Sequence, residues 1–105
     1  MVDVAKYRKI LEKREAELEA RLQEIDAELD SHHSKDWEEL ATEREGDEVL
    51  EREGMLAQEE IAKIKAAFAR MEAGEFGYCV KCGDEISPER LDAVPFTPFC
   101  RKCAP

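Results

Sequence analysis

Four cysteines in two close pairs constrain this 105-residue chain more than any other feature. Two residues separate Cys79 from Cys82, seventeen residues follow, and Cys100 and Cys103 repeat the two-residue spacing. Two tight turns of this kind can present four sulfurs to one point, each at about 2.3 Å from a zinc ion. Because four thiolates leave no position for water, we predict one Zn²⁺ ion that is structural and not catalytic.

Two other uses of paired cysteines fit the sequence less well. A redox CxxC usually lies between a strand and a helix of a thioredoxin-like fold, and this pattern lacks that context. Disulfides are typical of secreted proteins, whereas the first residues here contain no long apolar segment. No stretch approaches the roughly 18 apolar residues of a membrane span, so we expect a cytoplasmic protein without a membrane partner.

Apolar residues at steps of three and four predict two long helices. The first runs from Val4 to Leu29, and the second runs from about Asp36 to Ala73, where Gly74 supplies a stop. The first half of the second stripe is poorer, because Glu43, Asp47 and Gly54 occupy seam positions. A Gly inside a helix costs about 1 kcal/mol relative to Ala, so we expect looser packing there. The predicted seam residues are Val4, Tyr7, Leu11, Leu18, Leu22, Ile25 and Leu29, and then Leu50, Gly54, Ala57, Ile61, Ile64, Phe68 and Met71.

These helices are too long to be stable alone, so each needs the other as a partner. We predict a mostly α fold, in which residues 1–73 form a long antiparallel helical hairpin, a coiled coil with its tip near 30–44. Residues 74–105 form a small four-Cys zinc finger that depends on its metal. Its predicted apolar shell consists of Phe76, Tyr78, Ile86, Leu91, Val94, Phe96 and Phe99.

The net charge of −10 bears on the choice of partners. Affinity for DNA and RNA comes largely from Lys and Arg side chains that neutralise phosphates. A strongly acidic chain repels a phosphate backbone, so we expect no direct sequence-specific binding to nucleic acid.

The residues around the cysteines form a wider pattern, which reads Gly74-Glu-Phe-Gly77-Tyr-Cys79-Val-Lys-Cys82-Gly83, Arg90-Leu91-Asp-Ala93-Val-Pro95 and Cys100-Arg-Lys-Cys103. This pattern resembles the DksA/TraR family of bacterial zinc-finger transcription regulators. The resemblance implies a non-enzymatic, monomeric regulator that inserts its coiled-coil tip into the secondary channel of RNA polymerase and modulates initiation. Larger members carry further helices before the coiled coil and after the finger, so this chain resembles a short form.

The tip motif of that family has the form Asp-x-x-Asp-x-Ala. The sequence here reads Asp36-Trp37-Glu38-Glu39-Leu40-Ala41, with Glu in place of the second Asp. The resemblance implies that Asp36 and Glu39 act near the catalytic centre of the polymerase and that Ala41 allows close approach. From the residues alone, Asp36 and Glu39 also fit a helix capping pair, and both interpretations can hold together.

Some relatives respond to the alarmone ppGpp in the stringent response, through basic residues on the arm. Lys63 is the candidate ppGpp contact that the resemblance implies here. Lys65 and Arg70 are better explained as cations on a solvated helix face.

Two rival functions remain open from the sequence. An acidic coiled coil similar to the Gre factors would stimulate cleavage of backtracked RNA, with Asp36 and Glu39 sharing a Mg²⁺ ion. A zinc-stapled adapter without a polymerase role would instead bind other proteins, and its coiled coil could dimerise.

Overall fold

Two long helices packed against each other dominate the structure, a computed structural model. It describes residues 3–30 and 37–104, and the side chains of 37–45 fall outside the description. Helix α1 spans Val4–Asp30, α2 spans Trp37–Glu72, and a short α3 spans Pro88–Ala93. The described residues contain no β-strand, although Tyr78 and Glu85 form one isolated antiparallel bridge.

The heptad pattern predicted the buried faces of α1 and α2. Every predicted seam residue is buried or partly buried, and Ile64, at 0% exposure, is among the most enclosed. Ala67, also 0% exposed, belongs to the core as well and was missed, because an Ala carries little weight in an apolar stripe. Burial of these stripes supplies the main stabilisation that isolated helices of this length lack.

Packing contacts divide the chain into two units, one of residues 1–15 with 62–105 and the other of residues 16–61. In the first unit, Arg8 of α1 forms an ion pair of 3.1 Å with Glu72 at the end of α2. In the second unit, Arg21 holds Glu53 through two hydrogen bonds of 2.7 and 3.0 Å. Early residues of α1 thus meet late residues of α2, as expected of antiparallel helices. The predicted domain boundary between 73 and 74 stays a prediction.

The end of α2 has a defined cause. Gly74 adopts a positive φ of 73°, which a glycine reaches at low cost. The Gly74 N–H then bonds to the Met71 carbonyl, and the Glu75 N–H bonds to the Arg70 carbonyl. These two bonds form a Schellman motif that satisfies the last carbonyls of the helix, so the predicted stop at Gly74 is confirmed.

Gly54 offers a test of packing between the helices. A Cβ atom at this buried position would lie 3.7 Å from Leu22 Cδ2 and 3.9 Å from Ile25 Cγ2, both ordinary contact distances. We therefore expect Gly54→Ala to raise the free energy of unfolding by about 1 kcal/mol, from helix propensity together with added contact. Urea unfolding followed by circular dichroism measures this change.

Gly46 is the matched control for this substitution. It is an exposed residue of α2 where an added Cβ meets nothing within 4 Å, so Gly46→Ala reports helix propensity alone. A loss of stability in Gly54→Ala but not in Gly46→Ala would show that the two helices leave no space for a Cβ atom at position 54.

Candidate metal centre

The first cysteine pair lies in a tight hairpin between α2 and α3. The Cys79 N–H donates to the Asp84 carbonyl at 2.8 Å, and the Gly83 N–H donates to the Cys79 carbonyl at 2.9 Å. Gly83 has a positive φ of 79°, a conformation that glycine adopts at low cost, so the backbone can turn sharply after Cys82. A bond from the Ile86 N–H to the Gly77 carbonyl closes the hairpin. The two-residue gap thus places both sulfurs on one side of the turn.

The second cysteine pair forms a similar turn near the end of the described chain. The N–H groups of Cys103 and Ala104 both donate to the Cys100 carbonyl, at 3.1 and 3.0 Å. A bond of 2.9 Å from the Val80 N–H to the Pro98 carbonyl joins the two turns. Backbone hydrogen bonds therefore fix the two pairs relative to each other.

The four sulfurs meet at one point. The sulfurs of Cys79, Cys82, Cys100 and Cys103 all lie within 4.8 Å of one another, and the Cys82 and Cys100 sulfurs are 3.6 Å apart. Four thiolates bound tetrahedrally at about 2.3 Å from a Zn²⁺ ion would be separated by roughly 3.8 Å. The spacing, together with the all-thiolate donor set, fits a closed four-coordinate metal site and leaves no disulfide among these cysteines.

The four thiols alter one another's proton affinity. A backbone hydrogen bond from Cys100 is the main cause that lowers the pKa of the Cys79 thiol to about 6. Hydrogen bonds to the Cys100 and Cys79 sulfurs are the main causes that raise the pKa of Cys103 to about 12. Thiolates this close repel one another, so a divalent cation is what allows all four to lose their protons together.

A small apolar core supports the cysteine turns. Phe76, Ile86 and Leu91 are buried as predicted, and Val94, Phe96 and Phe99 are partly buried. The prediction for Tyr78 was wrong, because its side chain is 46% exposed. Side chains alternate along extended backbone, so Cys79 points inward while its neighbours Tyr78 and Val80 point outward.

Helix α3 was not predicted, although its start signal is present in the sequence. Ser87 caps the helix by accepting a hydrogen bond from the Arg90 N–H, and Pro88 occupies its first turn. The helix buries Leu91 completely and places Asp92 beside α1. The Tyr7 hydroxyl donates to Asp92 at 2.7 Å, and Lys6 forms an ion pair with the same carboxylate at 3.3 Å.

The Tyr7–Asp92 bond predicts a pH dependence. The hydrogen bond to Asp92, followed by burial, raises the pKa of Tyr7 to about 12. Because the pKa in the folded state is the higher one, this contact stabilises the fold fully below pH ~10 and is lost as pH rises toward 12. Absorbance at 295 nm in a Tyr78→Phe background, which leaves Tyr7 as the sole tyrosine, should show a midpoint near 12.

Asp92→Ala in the same background is the control for the titration. It removes the acceptor and its negative charge, so the Tyr7 midpoint should fall toward the ordinary value of about 10. An unchanged midpoint in Asp92→Ala would show that the hydrogen bond is not the cause.

Residues predicted at the tip lie partly or wholly outside the described structure. Asp36 is outside the described residues. Glu39 and Ala41 lie in the first turns of α2, and their side chains are not described. Their predicted roles at the tip therefore stay predictions.

The basic residues Lys63 and Arg70 of α2 differ in their exposure and contacts. Lys63 is exposed, and its Nζ lies 5.8 Å from the centre of the Phe96 ring, a cation–π distance. Arg70 is partly buried and donates to the Phe96 carbonyl at 2.9 Å, so the prediction of a solvated Arg70 was wrong. Burial lowers the pKa of Arg70, and the guanidinium serves to hold the loop after α3 against α2.

Sequence comparison assigns both halves of the chain. Residues 7–71 match the DnaK suppressor protein-like N-terminal domain, and residues 74–105 match the prokaryotic dksA/traR C4-type zinc finger. The chain belongs to the DksA/TraR family. The four clustered cysteines are thus those of a C4 zinc finger of the DksA/TraR type.

Solved structures of DksA proteins share the fold. Transcription factor DksA2 from Pseudomonas aeruginosa superposes with a TM-score of 0.85 at 28% identity, covering 95% of this chain and 81% of that one. The DnaK suppressor protein from Agrobacterium tumefaciens C58 gives a TM-score of 0.67 at 48% identity, covering 98% of this chain and 92% of that one.

A curated relative matches over a shorter length. The RNA polymerase-binding transcription factor DksA of Haemophilus influenzae is 40% identical over 43 residues, 41% of this chain and 30% of the relative. The matched segment therefore spans less than a third of that DksA.

Within the described part of this DksA/TraR chain, no helix is long and apolar enough to cross a membrane.

Proposed function

We propose that this protein is a cytoplasmic regulator that binds RNA polymerase and modulates the initiation of transcription. Membership of the DksA/TraR family carries the proposal, because relatives in this family are named RNA polymerase-binding transcription factors. The protein acts as a monomer and without catalysis of its own. Its binding shifts the polymerase between conformations, which requires different affinities for at least two of them.

The proposal places the active end at the hairpin tip, which enters the secondary channel of the polymerase. Asp36 and Glu39 contact the region of the active centre, and Ala41 allows close approach. The composition supports this assignment, since residues 36–48 contain seven acidic residues against the single Arg44. Acids packed this densely repel one another on a helix and exceed the needs of capping, so a role beyond stability is favoured.

The proposal assigns one Zn²⁺ ion to Cys79, Cys82, Cys100 and Cys103. The closed, all-sulfur donor set and the sulfur distances within 4.8 Å support a structural zinc. The metal, when bound, supplies folding free energy to a module with few buried side chains, and no exchangeable position is left for a substrate.

The tip is tested by neutralising its acids. Asp36→Asn combined with Glu39→Gln removes two charges while keeping side-chain size, so binding to core RNA polymerase should persist. Regulation of a ribosomal RNA promoter in vitro should be lost, because the contacts near the active centre are gone. Regulation that survives in this variant while binding persists would rule out the tip mechanism.

The ppGpp contact proposed for Lys63 has a separate test. Lys63→Ala leaves α2 intact, since the residue is exposed and Ala is a strong helix former. If ppGpp is bound at this position, Lys63→Ala should reduce the extra effect of ppGpp on transcription without changing the effect of the protein alone. Lys65→Ala, an exposed cation on the same helix, is the matched control.

A further inference from the structure

The second cysteine pair follows a loop, residues 94–99, that contains neither helix nor strand. Two arginine side chains hold the backbone of this loop. Arg70 of α2 donates from Nη2 to the Phe96 carbonyl at 2.9 Å. Arg90 of α3 donates from Nε to the Phe99 carbonyl at 3.3 Å. Both arginines are partly buried, and we name Arg70 and Arg90 the arginine clamp.

The arginine clamp acts directly before a metal ligand. The Phe99 carbonyl belongs to the same planar peptide group as the Cys100 nitrogen, so fixing this carbonyl also orients the Cys100 backbone. The hydroxyl of the buried Thr97 donates to the same carbonyl at 3.2 Å and accepts from the Phe99 N–H at 3.2 Å. Arg90 and Thr97 therefore hold one peptide group together, and that group carries Cys100.

The two cysteine pairs differ in what holds them. The first pair lies in a hairpin that its own backbone closes, through the bond from the Ile86 N–H to the Gly77 carbonyl. The turn of the second pair begins at Cys100, whose carbonyl accepts from the residues that follow it. Those bonds leave the peptide group before Cys100 to the loop. Support for Cys100 from its N-terminal side thus comes from the loop and its clamp.

The choice of arginine for these contacts has an electrostatic reason. Holding an arginine in a partly buried place costs side-chain entropy and some of the hydration of its charge. Hydrogen bonds from a charged donor are stronger than neutral ones and offset this cost. The negative charge of four thiolates also exceeds the charge of one Zn²⁺ ion, so a guanidinium bound beside Cys100 is favourable.

We propose that Arg90 and Arg70 are positioning residues of the metal centre, which keep the Cys100 sulfur on the metal by holding residues 94–99 in place. This inference rests on the zinc site proposed above. Residues that orient a metal ligand typically change metal affinity by roughly tenfold to a hundredfold. Without the arginine clamp, Cys100 becomes the first ligand to detach, although its side chain is buried.

Alkylation of the zinc-loaded full chain by iodoacetamide, with each cysteine followed by mass spectrometry, tests the arginine clamp. The reagent modifies a cysteine whose sulfur has left the metal, so each initial rate follows the detached fraction of that ligand. Arg90→Gln should raise the rate at Cys100 roughly tenfold or more, as expected for the loss of a hydrogen bond from a charged donor. The rate at Cys79, whose hairpin the clamp does not contact, should stay close to wild type. Arg70→Gln acts farther from Cys100 and should raise the Cys100 rate by a smaller factor.

Arg101→Gln is the matched control, because Arg101 is exposed and carries the same charge directly after Cys100. An equal rise of the Cys100 rate in Arg101→Gln would overturn the clamp, since charge and not the hydrogen bond would then be the cause. Equal rises at all four cysteines in Arg90→Gln would also overturn it, because they would indicate general unfolding of the module.

The outcomes separate the arginine clamp from the zinc site on which it rests. Wild-type protein that binds no zinc would overturn the metal centre and the clamp together. Zinc-loaded Arg90→Gln with an unchanged rate at Cys100 would overturn the clamp alone. Arg90→Lys keeps the charge but lacks the Nε donor, so it should restore the wild-type rate only in part, and full restoration would again assign the effect to charge.

Discussion

Replacing Cys79 by Ser is expected to remove the bound zinc and unfold the module of residues 74–104. Cys79 is 3% exposed, and hydrogen bonds of its backbone N–H and carbonyl hold the first cysteine turn in place. No other side chain can therefore take the place of its sulfur as a metal ligand. Structural zinc contributes about 10–16 kcal/mol in zinc-finger peptides, more than a module whose large buried apolar side chains are Phe76, Ile86 and Leu91 can replace. Zinc content should fall from one ion per chain to nearly none.

Amide NMR spectra locate the effect of Cys79→Ser. The amide chemical shifts of residues 74–104 should move to values typical of an unfolded chain. The chemical shifts of residues 16–61, a separate packing unit, should stay unchanged. Lys102→Ala is the control, because Lys102 is exposed between two cysteines and contributes no ligand. A chelator should reproduce the mutant spectrum in wild type, and added zinc should reverse it there but not in Cys79→Ser. Full zinc content in Cys79→Ser would refute the assignment of ligands.

The helices could be predicted because their burial is periodic. Leu11, Leu18 and Ile25 recur at seven-residue steps and are all buried, so one pattern gives both the helix and its inner face. The end of α2 at Gly74 could also be predicted from the sequence, since the positive φ that often follows a helix strongly favours glycine. The cysteine spacing predicted the sulfur cluster for a similar reason, because few backbone geometries bring such pairs together.

Three features were missed or predicted wrongly, each for a different physical reason. Helix α3 has only six residues, too few for a periodic stripe, although Ser87 and Pro88 mark its start. Tyr78 was placed in the core by its residue type, yet its position next to Cys79 in extended backbone turns it outward. Arg70 was assigned to solvent because the Phe96 carbonyl that binds it is 26 residues away.

Leu11→Ala is expected to cost about 2–5 kcal/mol of unfolding free energy, the usual range for removing a buried leucine side chain. Leu11 is 1% exposed, so the truncation leaves a cavity that the surrounding side chains fill only partly. For a domain of this size the total stability is about 5–15 kcal/mol, so one substitution removes a large share. Urea unfolding at saturating zinc measures the loss without a contribution from metal release.

Ile10→Ala provides the matched control for the core prediction, because it removes a similar apolar side chain at the neighbouring position of α1. Ile10 is 40% exposed, so little contact is lost, and Ala is the better helix former. The change should stay within about 0.5 kcal/mol of wild type. Equal losses of unfolding free energy in Leu11→Ala and Ile10→Ala would contradict the buried face assigned to α1. That assignment turns Leu11 inward and Ile10 outward, so the two substitutions must differ in cost.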